Sequence, residues 1–149
     1  MSDSTDEIRE KVRELFGEVF PSNDVERVTE FVHPDVFDHS SPPGAPQGID
    51  DVKRTIHWLN SVFSDLRWEI HQIIVEDDLA AVYCTLHGRQ TGDLMGIPPT
   101  GRQIKQPYVQ IFRFKDGKTI ERWAVRDDLT LMKQLGVIPD QRPKAEVAS

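Results

Sequence analysis

Apolar positions set a helical period at the start of the chain. Ile8, Val12, Leu15, Phe16, Val19 and Phe20 fall at i, i+4, i+7, i+8, i+11 and i+12, one stripe of an amphipathic helix over 5–20. Ser4 and Glu7 stand at capping-box spacing, and Pro21 stops the helix. A short second helix is predicted over 23–32, with Val25, Val28 and Val32 inward. His33-Pro34 ends it, because the residue before a proline avoids the helical region. Residues 40–48, SSPPGAPQG, hold three prolines and two glycines and read as a loop. A third helix follows over 50–63, with Val52, Ile56, Leu59 and Phe63 on one face.

The period then changes. Residues 66–75, LRWEIHQIIV, are rich in β-branched and aromatic residues and predict a strand; Glu76-Asp77-Asp78 turns the chain into a second strand over 79–87. The glycine- and proline-bearing stretch 88–101 is a long hairpin connection to a third strand, 104–114. Asp116-Gly117 is a hairpin turn, and 119–126 is the fourth strand. A last helix, 129–135, ends at Gly136, where a left-handed cap belongs. Helices grouped before a hairpin-linked sheet predict an α+β domain with helices packed on a curved antiparallel sheet, a shape that encloses an apolar pocket. The domain is expected over 4–138. Polar tails are expected at residues 1–3 and 139–149.

Composition narrows the function. The chain has 149 residues, 38% apolar and 29% charged, enough for one domain with a full core. It lacks the ~18 uninterrupted apolar residues of a membrane span, and its polar, acidic start is unlike a signal peptide. A net charge of −7 repels phosphate backbones, so neither nucleic acid nor a membrane is an expected partner. The single cysteine, Cys84, excludes a disulfide framework and a Cys-rich zinc site, and a cytoplasmic location fits. Cys84 lies mid-strand and reads as a small core residue. The histidines lack His-Glu-x-x-His spacing, so no metal is expected.

Chemistry concentrates near the end of the chain. Trp123 and Val125 look like the buried face of the fourth strand, and alternation would carry Glu121 and Asp127 with them, with Arg122, Ala124 and Arg126 opposite. A carboxylate held in that apolar interior has a raised pKa and suits a general base for carbon acids. The competing use of Asp127 or Asp128 is to cap the last helix; Asp127 inward and Asp128 as the cap lets one residue do each job. On the third strand, Tyr108, Gln110 and Phe112 share a face. It is either a pocket wall on which the Gln110 amide orients a carbonyl, or a surface face of cross-strand aromatic pairs. His39, beside the proline-rich loop, either donates to a substrate oxygen at a cavity mouth or bonds backbone.

Several runs resemble the SnoaL-like polyketide cyclase family. They are Gly88-Arg89-Gln90-Thr91-Gly92-Asp93 with Gly96-Ile97-Pro98-Pro99-Thr100-Gly101-Arg102, Phe112-Arg113-Phe114-Lys115-Asp116-Gly117-Lys118, Glu121-Arg122-Trp123 with Asp127, and Gln134-Leu135-Gly136. The resemblance implies an NTF2-like cone and a cyclase that uses no cofactor. An aspartate at the Asp127 position removes a proton beside carbonyls, and an intramolecular aldol condensation closes the ring. His39, Tyr108, Gln110, Trp123 and Gln90 are the expected substrate-binding set. Gln110 and Gln90 stand where many members carry histidine. The substrate is expected to be a small aromatic or polyketide-like compound. Two other readings remain: a cofactor-independent hydrolase or hydroxylase in the same cavity, and a non-catalytic small-molecule-binding domain. The outer sheet face, with Val109, Ile111 and Arg113, is expected to seat a second copy in a homodimer.

Overall fold

The computed structural model describes residues 4–139; the expectations for residues 1–3 and 140–149 lie outside the described residues. Helix α1 (Thr5–Glu14) starts where Ser4 accepts a hydrogen bond from the Glu7 amide. It passes into a π-helical stretch, Leu15–Val19, and a last short turn, α2 (Phe20–Ser22), which Asn23 closes in the left-handed conformation at φ 59°. Leu15, Phe16 and Val19 in the π-helical stretch are all buried, continuing the apolar stripe of α1. The expected second helix is only a 3-10 segment, Val25–Glu30.

Beyond it the structure has a strand that the sequence pattern did not predict. Strand β1 (Val32–Asp38) lies at the edge of the sheet, where Pro34 can be accommodated without a second ladder neighbour. Helix α3 (Ile49–Val62) follows the proline-rich loop and buries Ile56 and Val62. Four strands then cross the molecule: β2 (Phe63–Glu76), β3 (Leu79–Gln90), β4 (Gln103–Lys115) and β5 (Lys118–Arg126). Helix α4 (Asp128–Gln134) closes the chain, with Gly136 at φ 78° past its end.

The sheet order is β1-β5-β4-β3-β2. The four hairpin-linked strands are antiparallel as expected, but β1 pairs parallel to β5, so the sheet is mixed rather than purely antiparallel. The curved, unclosed sheet with helices on one face is an α+β, NTF2-like architecture. Its inner face and the helices share one apolar cluster, which includes Ile8, Val12 and Phe16 from the N-terminal helices, Val82 and Leu86 from β3, and Phe112 from β4.

One irregularity decides which β5 side chains enter the interior. Phe114 pairs with Thr119, but Arg113 pairs with Glu121, so β5 has one residue more than β4 at Ile120. This is a β-bulge, and it shifts the alternation of everything after it by one position. Thr119 is buried before the bulge. Beyond it, Arg122 and Arg126 take the cavity side, while Val125 is 78% exposed. The expected inward face of Glu121, Trp123, Val125 and Asp127 is therefore the outer one.

Candidate active site

Between the inner sheet face, α3, the N-terminal helices and α4 lies a cavity of about 500 Å³, within the usual range for a small-molecule site. Its depth is apolar and aromatic: Phe16, Phe20, Trp68 and Phe112 contribute to one wall. The Phe16 and Phe20 rings stand 4.8 Å apart, and Phe20 meets Trp68 edge-on at 5.3 Å. Trp58, 40% exposed, and Met95, 77% exposed, stand along its rim.

The polar groups of the cavity form one connected chain. Arg122 Nη1 donates to Asp38 Oδ2 at 2.7 Å, and Arg122 Nε and Nη2 both donate to Gln110 Oε1, at 3.1 and 3.0 Å. Gln110 Nε2 donates to the Tyr108 hydroxyl at 3.2 Å, and the Trp68 indole N–H donates to the same oxygen. Burial alone would raise the Asp38 carboxyl; the Arg122 guanidinium and two bonds from Ser40 outweigh it and hold the carboxyl below its ordinary range. Burial pushes the Tyr108 phenol above its ordinary value, so it stays a neutral O–H. Gln110, 1% exposed, thus sits between an ion pair at one end and a phenol at the other.

The corner between β5 and α4 carries two carboxylates with opposite duties. Asp127 is the helix cap: Oδ1 accepts from the Thr130 amide at 3.0 Å and Oδ2 from the Thr130 hydroxyl at 2.6 Å. These two bonds lower its pKa, where a raised one was expected, and it does not line the cavity. Asp128 does line it, and accepts from the buried Gln106 amide at 2.8 Å, with Arg126 Nε at 3.5 Å. The expectation of Asp127 inward and Asp128 as cap is reversed. The cause is the bulge upstream, which sets the phase with which the chain enters the helix.

Of the expected binding residues, the structure brings Tyr108 and Gln110 into the cavity wall and leaves three outside it. Trp123 lies on the outer sheet face, where His39 stacks on it at 4.5 Å and 2° and bonds Glu121 at 2.8 Å. That bond, with Arg113, holds the Glu121 carboxyl low. Gln90 is fully buried and serves the long β3–β4 connection: Nε2 donates to the carbonyls of Gly92, Ile97 and Pro98, and Oε1 accepts from Thr100.

Asp38, Gln106, Arg122 and Asp128 line the cavity without being among the expected site residues. Their one local signal was position, Asp38 beside the proline-rich loop and Asp128 beside Asp127. Simple alternation along β5 puts Arg122 on the far side, and the bulge brings it to the cavity. Among the described residues, no group of three His, Cys, Asp or Glu side chains is placed to hold a metal ion, and no helix is long and apolar enough to cross a membrane.

A curved α+β cone around an apolar cavity with a short polar chain on its wall defines a small-molecule site of the NTF2-like type. Comparison with known proteins narrows the class. The pattern of the SnoaL-like polyketide cyclases matches residues 10–135, and the chain belongs to that family. It is 29% identical over 119 residues to the nogalonic acid methyl ester cyclase of Streptomyces nogalater, covering 78% of this chain and 89% of the relative. It is 27% identical over 143 residues to the aklanonic acid methyl ester cyclase DnrD of Streptomyces peucetius, covering 91% and 92%. Among solved structures, AclR from Streptomyces galilaeus, a putative hydroxylase, superposes with a TM-score of 0.83 at 27% identity, covering 97% of this chain and 90% of that one.

Proposed function

We propose that this protein is a cofactor-independent cyclase that closes a ring of a polyketide-like substrate by an intramolecular aldol reaction. The observation that carries the reading is that one cavity is lined both by a carboxylate free of capping duty, the solvent-accessible Asp128 held by Gln106 and Arg126, and by the buried Gln110 amide and Tyr108 phenol. Asp128 takes a proton from a carbon flanked by carbonyls. The resulting enolate carbon attacks a second carbonyl of the same molecule, forming the new C–C bond, and the alkoxide oxygen recovers a proton. A hydrogen-bond donor aimed at the developing charge lowers the barrier, more so between aromatic walls than in water, and the Tyr108 phenol is the donor available for that. Asp127 is assigned to holding the first turn of α4, on which Asp128 stands. The two arginines of the cavity wall, Arg122 and Arg126, are each engaged by an aspartate, which favours a neutral substrate such as an ester over a free acid. The homologous cyclases that act on nogalonic and aklanonic acid methyl esters support this choice.

A hydroxylase, with molecular oxygen as the oxidant and oxygen source and electrons from the substrate or an added reductant, is the second reading, and the likeness to AclR favours it. One experiment separates the two: incubation with aklanonic acid methyl ester, followed by mass spectrometry. Ring closure gives an isomer of unchanged mass. Hydroxylation adds one oxygen atom and hydrolysis adds one water. Recovery of unaltered ester would overturn the cyclase for this substrate. A second copy of the chain is assigned to the outer sheet face, where Val109, Ile111 and Val125 are exposed.

A further inference from the structure

The polar chain on the cavity wall has a direction that donor and acceptor counting determines. Arg122 has donors only, so the Gln110 atom that faces it, 3.1 Å from Nε and 3.0 Å from Nη2, must be the carbonyl oxygen. The amide is thereby fixed, and its Nε2 must face the Tyr108 hydroxyl at 3.2 Å. The Trp68 indole is also a donor only, and it bonds the same hydroxyl. Tyr108 Oη therefore receives two hydrogen bonds, which occupy both of its lone pairs. Its own proton has to be donated elsewhere. The neighbour at hand is the Cys84 sulfur, a weak acceptor. Tyr108 also lines the cavity, where a ligand oxygen is the stronger competitor for that proton.

We propose that Tyr108 is the cavity's hydrogen-bond donor to a ligand carbonyl or enolate oxygen, and that Arg122 and Gln110 are positioning residues that hold it in the donating state. The inference rests on the reading of the cavity as a site for carbonyl compounds, and adds which group meets the oxygen and why it cannot act as an acceptor. The Asp38–Arg122 pair lies at the far end of the chain. Arg122 fixes Gln110, Gln110 and Trp68 saturate Tyr108, and Tyr108 is left with one hydrogen bond to give. Its neutrality, imposed by burial, keeps that proton in place.

A pair of tricyclic probes of one shape tests this: 9-fluorenone, which has a ketone, and fluorene, which lacks it. Their affinities are compared by equilibrium dialysis. The wild type is expected to bind fluorenone about 3–10-fold more tightly than fluorene, as one neutral hydrogen bond allows. Tyr108→Phe removes the proton. Gln110→Glu keeps the Tyr108 hydroxyl and the contact to Arg122, but turns a donor into a carboxylate that captures the Tyr108 proton. Both variants should bring the ratio of fluorenone to fluorene affinity to about one, whereas general loosening of the wall would weaken both probes alike and leave the ratio as in the wild type. If both variants keep the preference, the donor assignment falls and the cavity reading stands. If the wild type binds neither probe, the cavity reading falls and takes the donor assignment with it. Should the variants fail to fold, a crystal structure of the wild type with fluorenone decides. A ketone oxygen within hydrogen-bond distance of Tyr108 Oη supports the assignment, and one out of its reach overturns it.

Discussion

Arg122 and Asp38 face each other across the parallel seam of the sheet, in register as neighbours of β5 and β1, with Nη1 2.7 Å from Oδ2. This pair ties the edge strand to the cavity wall. Because it is partly shielded, breaking it leaves one charge poorly compensated. Asp38→Asn is expected to destabilise the fold by roughly 1.5–3 kcal/mol, the range for hydrogen bonds to charged groups, read from urea unfolding. An unchanged midpoint would show that the seam does not depend on the pair.

The same pair sets a pH dependence. Asp38 has a carboxyl held below its ordinary value in the folded state, so its contribution is fully present above the unfolded pKa of about 3.9. It is lost as the pH falls through the lower folded value. Unfolding midpoints measured from pH 7 downward should fall more steeply in the wild type than in Asp38→Asn below about pH 4. Parallel curves would contradict the assignment.

The two aspartates at the start of α4 should separate stability from activity. Asp127→Ala removes the cap and is expected to cost about 1 kcal/mol, whereas Asp127→Asn keeps a capping side chain and most of the stability. Asp128→Asn should leave the fold intact and lower turnover of an accepted ester by ~10²–10⁴-fold, the usual size of a lost general base. If Asp127→Asn instead abolishes turnover at full stability, the base is Asp127.

Gly92 is a packing requirement of the β3–β4 connection. A Cβ at this position would lie 2.0 Å from the Ser61 carbonyl oxygen, at the end of α3, so backbone would have to move. Gly92→Ala is expected to destabilise by about 1–3 kcal/mol, as overpacking commonly does, in thermal or urea unfolding. Gly96→Ala is a useful contrast: its added Cβ meets nothing within 4 Å, although its φ of 93° carries a strain of its own.

For the outer sheet face, a homodimer is the expected state, and light scattering at micromolar concentration is the measurement. Ile111→Lys places a charge among Tyr83, Val109 and Val125 on that face and should shift the population to monomer without loss of folding. A wild type that is already monomeric would remove the assignment.

Local sequence was sufficient wherever one element's own period or turn chemistry decides the outcome. The stripe from Ile8 to Val19, the Ser4 cap, the Asp116-Gly117 turn and Gly136 at the helix end are all where the pattern placed them, because each depends on contacts within a few residues. The run of hairpins likewise fixed the antiparallel neighbours, and the family resemblance supplied the cone. The sequence did not show β1, because a short edge strand interrupted by Pro34 has no alternation of its own and exists by pairing with β5. Nor did it show the bulge at Ile120, which arises from how β5 registers against β4. That single extra residue exchanged the faces of β5, sent Trp123 outward and Arg122 inward, and gave the cap to Asp127 and the cavity to Asp128. Side-chain identity is written along the chain. Which side of a strand it faces depends on the count of residues between hydrogen-bonded partners, and those partners meet only in the folded sheet.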